Sequence, residues 1–128
     1  VNGFSINEEL EIAQRQLALC PQESPVFDEF TVQQHLEFFA ALRGVAGVAQ
    51  LEGQVAHVLH LLDLNEKRGH MGVDLSGGQR RRLWVATALL GAAPVVLLDE
   101  PSSGMDPASR HKLWAALAWI RRSGRTVI

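Results

Sequence analysis

Cysteine occurs once in this chain, at Cys20. An intrachain disulfide is therefore excluded, and a reducing compartment is the natural setting. A lone cysteine in an apolar run reads as a small buried hydrophobe rather than a nucleophile. Lysine is almost as scarce. Only Lys67 and Lys112 are lysines among the twelve basic residues, and neither follows a glycine. Neither acids nor bases dominate: the net value of −2 gives no global basic signal for nucleic acid and no polyanionic tail. What basic charge there is clusters, at arginines 80–82 and 121–125. No uncharged run reaches the roughly 20 residues that a membrane-spanning helix needs. The longest covers 83–98 and contains Pro94. Residues 1–15 lack a basic stretch followed by an apolar core, so they do not read as a secretory leader. There are no repeats and no low-complexity tract.

What is present is a chain of 128 residues, 47% hydrophobic, enough to fill the core of one domain or part of one. Asn7 is expected to cap a short helix over about 8–15, with acids in its first turn. Leu17-Ala18-Leu19-Cys20, closed by Pro21, reads as a buried strand. Thr31 and Gln34 form a capping box for a helix over about 32–43 that stops at Gly44. Leu51, Val55, Val58, Leu59 and Leu62 recur at helical spacing and predict a second helix ending near 64. A third is expected from Gly77 to about Leu90, ended by Gly91 and Pro94. Val95-Val96-Leu97-Leu98 reads as a strand buried on both faces, as in parallel sheets. Asp106-Pro107 is an N-cap with a first-turn proline. The helix behind it should bury Leu113, Leu117 and Ile120 and stop at Gly124. The chain thus reads as an α/β core interrupted by a helical insert: core over 1–23, insert over 24–92, core again over 93–128. The first residue is not methionine, and Thr126-Val127-Ile128 reads as a strand cut at its start. Both ends are therefore expected to be edges of a longer chain.

Two stretches carry chemistry. A buried strand ending at Leu98 delivers Asp99 and Glu100 at its carboxyl end, where open α/β sheets place ligands. Two carboxylates there are costly unless something uses them. A hard cation such as Mg²⁺ accepts one carboxylate, waters and phosphate oxygens, and the neighbouring carboxylate can orient or deprotonate water. The second stretch is Leu75-Ser76-Gly77-Gly78-Gln79. Ser76 is a good N-cap, the glycines let backbone approach a ligand closely, and the helix that follows offers free N–H groups to an anion. Arg80, Arg81 and Arg82 are expected to add positive potential there.

Taken together, Ser-Gly-Gly-Gln opening a helix, a hydrophobic strand with Asp-Glu, and then Ser103-Gly104-Met105-Asp106 resemble the nucleotide-binding domain of an ABC ATPase, over essentially the whole chain. The resemblance implies a P-loop NTPase core with a mostly helical insert. It implies that Leu75 to Gln79 is the signature, that Val95 to Asp99 is the Walker B strand, and that Glu100 is the catalytic glutamate. Gln22 corresponds to the Q-loop glutamine and Asp106 to the D-loop. The cofactors implied are ATP and Mg²⁺, with Asp99 and Gln22 at the metal. Glu100 would polarise water, Ser76, Gly77, Gly78 and Gln79 would clasp the γ-phosphate of ATP held mainly by a partner domain, and Asp106 would couple the two sites. The partners implied are a second such domain, head to tail, and the transmembrane domains of a transporter, reached through the Q-loop and the helical insert. Val26, Phe27 and Phe30 are candidates for that groove. Nucleic acid is not an expected partner, and the cytoplasmic face of a membrane is the expected location.

The chain departs from the family pattern in two places. The phosphate cradle G-x-x-x-x-G-K-[ST] is missing, and so is the switch histidine beyond the D-loop helix. None of His35, His57, His60, His70 and His111 stands in that place, and all five are expected to be partly exposed. His57 and His60 could make half a metal site, but no companion ligand stands out. A chain without the phosphate cradle is expected to hydrolyse little ATP alone. The stretch from Gln22 to Ser76 has room only for a compact insert, which argues against coiled-coil DNA-repair relatives. Finer detail, Cys20-Pro21-Gln22, Leu36-Glu37-Phe38-Phe39 and Asp99-Glu100-Pro101-Ser102-Ser103-Gly104-Met105-Asp106-Pro107, resembles the A subfamily of eukaryotic ABC transporters, which implies lipid transport. The alternatives are a truncated or degenerate domain serving as a non-catalytic binding or regulatory module, and a soluble ABC ATPase that is not a transporter.

Overall fold

The apolar run that Pro21 closes forms strand β1 (Leu17–Cys20), and the second apolar run forms β2 (Val95–Leu98). A short β3 (Thr126–Val127) completes a parallel sheet in the order β1-β2-β3. Leu17 lies opposite Val95 and Cys20 opposite Leu98, and Val95 in turn faces Thr126. The structure is a computed structural model that describes residues 1–23 and 25–128. The expected start of the helical insert at Ser24 lies outside the described residues.

Between β1 and β2 run helices α2 (Val32–Leu42), α3 (Val48–Leu61) and α4 (Gly77–Leu89), with two short 3-10 turns, Asn65–Lys67 and Gly72–Asp74. Helix α5 (Pro107–Arg122) connects β2 to β3, and the six-residue α1 (Leu10–Arg15) precedes β1. The capping box on α2 is formed as read. Thr31 accepts the Gln34 N–H, and the Gln34 side chain accepts the Thr31 N–H. At α1 the expectation fails. The helix begins at Leu10, because Ser5 Oγ accepts the N–H groups of Asn7 and Glu8 and closes a turn there first. Asn7 therefore caps nothing. Helix α3 also stops sooner than expected, at Leu61.

One continuous core joins the sheet to the helices. Ala18, Cys20 and Val96 meet Leu36 and Ala40 of α2, Val55, Val58 and Leu59 of α3, and Leu113, Leu117 and Ile120 of α5. Helix α4 runs through the middle, and every residue from Arg81 to Leu90 is buried. A helix buried on all sides needs little amphipathicity, which is why its sequence mixes Ala86, Ala88 and Leu89 with arginines. The other face of the sheet stays open. Leu19 is 55% exposed, and Leu17, Val95 and Leu97 are only half-buried. The reading of both strands as fully buried is thus corrected. Among the described residues, helices cover one face of the sheet only.

A chain of ring contacts ties the loop after β1 to this core. Phe27 packs on Phe30 and on His35, Phe38 meets Phe39, and Phe39 meets Trp84 of α4 edge to face at 5.4 Å. His35 is fully buried among these rings, against the expectation of partial exposure, while the other four histidines are exposed. Cys20 is buried as well, and burial pushes its thiol up to about 11, which fits the hydrophobe rather than the nucleophile.

Candidate functional site

The parallel sheet sends the ends of β1 and β2 out side by side. The Asp99 N–H donates to the Cys20 carbonyl at 2.9 Å and carries the pairing one residue past β2. Gln22 and Glu100 leave from these adjacent ends and meet. The Gln22 Nε2 donates to Glu100 Oε2 at 3.0 Å. Because the amide donates through nitrogen, its Oε1 is left as an acceptor. Glu100 stands in the left-handed backbone region, φ +44°. A non-glycine residue there carries strain of roughly 1–3 kcal/mol.

The second set of residues stands at two helix starts. Ser76 Oγ accepts the Gln79 N–H at 3.2 Å and Gln79 Oε1 accepts the Ser76 N–H at 2.9 Å, a second capping box. Asp106 Oδ2 accepts the Ser109 N–H at 2.9 Å and caps α5. That bond, the largest influence, holds the Asp106 carboxyl below the usual carboxylate range. A side chain at Gly78 would begin 2.8 Å from Ser109 Oγ and 3.4 Å from Asp106 Oδ1, so the two helix starts touch at a glycine.

Sequence reading therefore picked residues that the structure gathers into two groups: Gln22, Asp99 and Glu100 at the strand ends, and Ser76, Gly77, Gly78, Gln79 and Asp106 at the helix starts. It did not find what joins them. Arg81, 7% exposed, reaches from α4 to the carbonyls of Pro21, Gln22, Asp99, Glu100 and Pro101. The three successive arginines, expected to add positive potential there, are each engaged in hydrogen bonds. Successive helix positions turn by about 100°, so each arginine braces a different neighbour. Arg80 pairs with Asp28 at 2.9 Å and donates to the Val26 and Gly72 carbonyls. Arg82 donates to the Leu62 and Asp63 carbonyls behind α3.

Neither of two concavities elsewhere on the surface borders the carboxylates. One of about 800 Å³ is lined by Glu11, Arg15, Arg43 and the stretch 90–93, and the other, of about 300 Å³, by His57, Trp119 and Arg125 among others. Gln22, Asp99 and Glu100 are exposed. No cluster of three metal-ligating side chains occurs among the described residues. Asp99, Glu100 and the Gln22 oxygen are a hard-oxygen set that suits a cation keeping several waters and phosphate oxygens, as Mg²⁺ does. No described helix is long and apolar enough to cross a membrane.

Comparisons with known proteins give the family. Residues 1–103 match the family described as "ABC transporter". The chain is 43% identical to human "Retinal-specific phospholipid-transporting ATPase ABCA4" over 129 residues, covering 100% of this chain and 6% of that protein. It is 38% identical to mouse "Phospholipid-transporting ATPase ABCA3" over 128 residues, 100% of this chain and 7% of that protein. It is 41% identical to mouse "ATP-binding cassette sub-family A member 7", covering 98% of this chain and 6% of that protein. The chain thus spans well under a tenth of the length of the relatives it matches. The solved "Structure of ATP binding subunit of ABC transporter" superposes with a TM-score of 0.79 at 24% identity, over 99% of this chain and 52% of that one. With parallel strands ending in Asp-Glu, a glycine-rich capped helix beside them and a family match over most of its length, the chain belongs to the ABC transporter family and carries part of its ATP-binding α/β fold, a P-loop NTPase core with a helical insert.

Proposed function

We propose that this chain is the signature-bearing part of a nucleotide-binding domain that hydrolyses ATP to drive transport across a membrane, with lipid as the cargo. The Gln22–Glu100 hydrogen bond at the paired ends of β1 and β2 carries this reading. It joins a polar sensor and a carboxylate at the place where parallel sheets present ligands. The cargo class rests on the names of the relatives, two of which are called phospholipid-transporting ATPases. In this reading residues 1–23 and 93–128 belong to the core and 24–92 to the helical subdomain.

The chemistry follows from the side chains. Glu100, fixed by Gln22, orients the attacking water and polarises it. Asp99, with the free oxygen of Gln22, would hold Mg²⁺, and the ion when bound would neutralise charge on the phosphate oxygens. Ser76, Gly77 and Gly78 present hydroxyl and backbone N–H groups to the γ-phosphate of an ATP held mainly by a second domain, arranged head to tail. Gln79 acts indirectly by fixing Ser76 in its cap. Asp106, touching Gly78, passes the state of one site to the other. The half-exposed rings of Phe27 and Phe38, packed on Phe30, offer an apolar seat for a helix of the transmembrane part on the cytoplasmic face, whereas Val26, expected in that groove, is buried.

The test is ATP turnover by the full-length protein in lipid. Glu100→Gln should lower kcat by at least about a hundredfold, the scale of a lost general base, while ATP still binds. The 128-residue chain alone should turn over little. Unchanged turnover in Glu100→Gln would leave a non-catalytic binding module as the better reading.

A further inference from the structure

We propose that Arg81 is a positioning residue that sets the geometry of Glu100 and Gln22 together. The inference rests on the reading of those two residues as the hydrolytic pair. Arg81 does not touch substrate. Its guanidinium stands behind both strand ends and donates Nη1–H to the carbonyls of Pro21 at 3.0 Å and Gln22 at 2.8 Å. Nη2–H donates to Asp99 at 2.6 Å and Glu100 at 3.0 Å, and Nε–H to Pro101 at 3.3 Å. An arginine carries five N–H donors in a fixed plane, and here two edges of that plane take two separate segments.

The arrangement has a geometric consequence. Gln22 and Glu100 are far apart in sequence, and their side chains make one bond to each other. One bond does not fix two loops. The guanidinium fixes their backbones at a common reference, and it does so from α4, the helix that begins with the Ser76 cap. It also bonds the carbonyl of the one residue among them with a strained backbone, Glu100 at φ +44°. Strain of that kind persists only where the surroundings over-determine it, and the bonds to the Asp99, Glu100 and Pro101 carbonyls do so. Lysine cannot replace this fork. Its ammonium is a point donor with three hydrogens and no plane.

The experiment uses the full-length protein in lipid and the variant Arg81→Lys. The expected result is a ten- to hundredfold fall in kcat, on the order of what a 1 Å misplacement costs, with KM for ATP changed less than about threefold. Hydrogen exchange should quicken at the Ser103 amide, which donates to the Glu100 carbonyl, and stay unchanged in α5. Where a buried lysine prevents folding, the neutral Arg81→Gln is measured by the same criteria. A variant that keeps more than half of the wild-type kcat overturns the proposal. So does a loss in which KM rises in step and exchange quickens throughout the domain, since that is general destabilisation. Glu100→Gln in parallel separates the two levels. If it abolishes turnover while Arg81→Lys stays active, only the positioning role falls. If Glu100→Gln is itself active, the hydrolytic reading falls first.

Discussion

His35 accepts the Phe27 N–H through Nε2 at 2.9 Å and faces the Thr31 carbonyl through Nδ1 at 2.8 Å. A carbonyl only accepts, so Nδ1 carries the proton and Nε2 is bare. Protonation would set Nε2–H against Phe27 N–H. Burial, the largest cause, pushes the His35 pKa below its ordinary 6.5, and nearby Arg80 adds to this. The unfolded chain then binds the proton first, so stability is full above about pH 6.5 and declines as pH falls below it. Thermal unfolding followed from pH 7.5 to 5.5 should show this decline, and His35→Asn should flatten it. An equal slope in both proteins would refute the assignment. This role was not legible in the sequence. A histidine at one place in a helix looks like any other until the loop that folds back onto it is known. Arg81 was hidden for the same reason, since its acceptors lie 18 to 60 positions away. Glu100 and Asp99 were legible because an acidic pair ending an apolar strand is a local pattern.

Helix starts were the most readable elements, because a cap involves residues three apart. Thr31 with Gln34, Ser76 as an N-cap and Asp106 before Pro107 all stand as read. Asn7 misled because Ser5, two residues earlier, closes its own turn, and its carbonyl takes the Glu9 N–H that an Asn7 cap would need. Contacts between elements were not readable, and Gly72 is the sharpest case. A Cβ there would lie 2.2 Å from the Phe27 carbonyl oxygen. Backbone cannot rotate out of the way as a side chain can. Gly72 is also where Phe30 O accepts an N–H and where Arg80 takes a carbonyl. Gly72→Ala should therefore destabilise the fold by about 1–3 kcal/mol, the usual cost of overpacking, and loosen the aromatic seat built on Phe27. Denaturant unfolding measures the first effect. A change under about 0.5 kcal/mol, typical of a free surface position, would show that the loop yields.

At the scale of the molecule the open sheet face decides behaviour. Leu17, Leu19, Val95 and Leu97 share it, and Leu19 is 55% exposed. The 128-residue chain prepared alone should bind an apolar dye and associate as its concentration rises. Leu19→Thr keeps a strand-forming residue and should reduce both, as light scattering would record; no reduction would place the sticky surface elsewhere. Fold class was readable at this scale, since apolar runs separated by capped helices admit few arrangements, whereas which sheet face stays bare depends on packing partners no local pattern encodes. Glu100 sits where glycine or asparagine would rest more easily, at φ +44°. Anyone redesigning the chain for durability alone would replace that residue early, and the sturdier product would have given up its carboxylate. On the proposed reading, acid at this position is a standing trade of robustness for reactivity, made on a peptide unit whose carbonyl Arg81 holds in place.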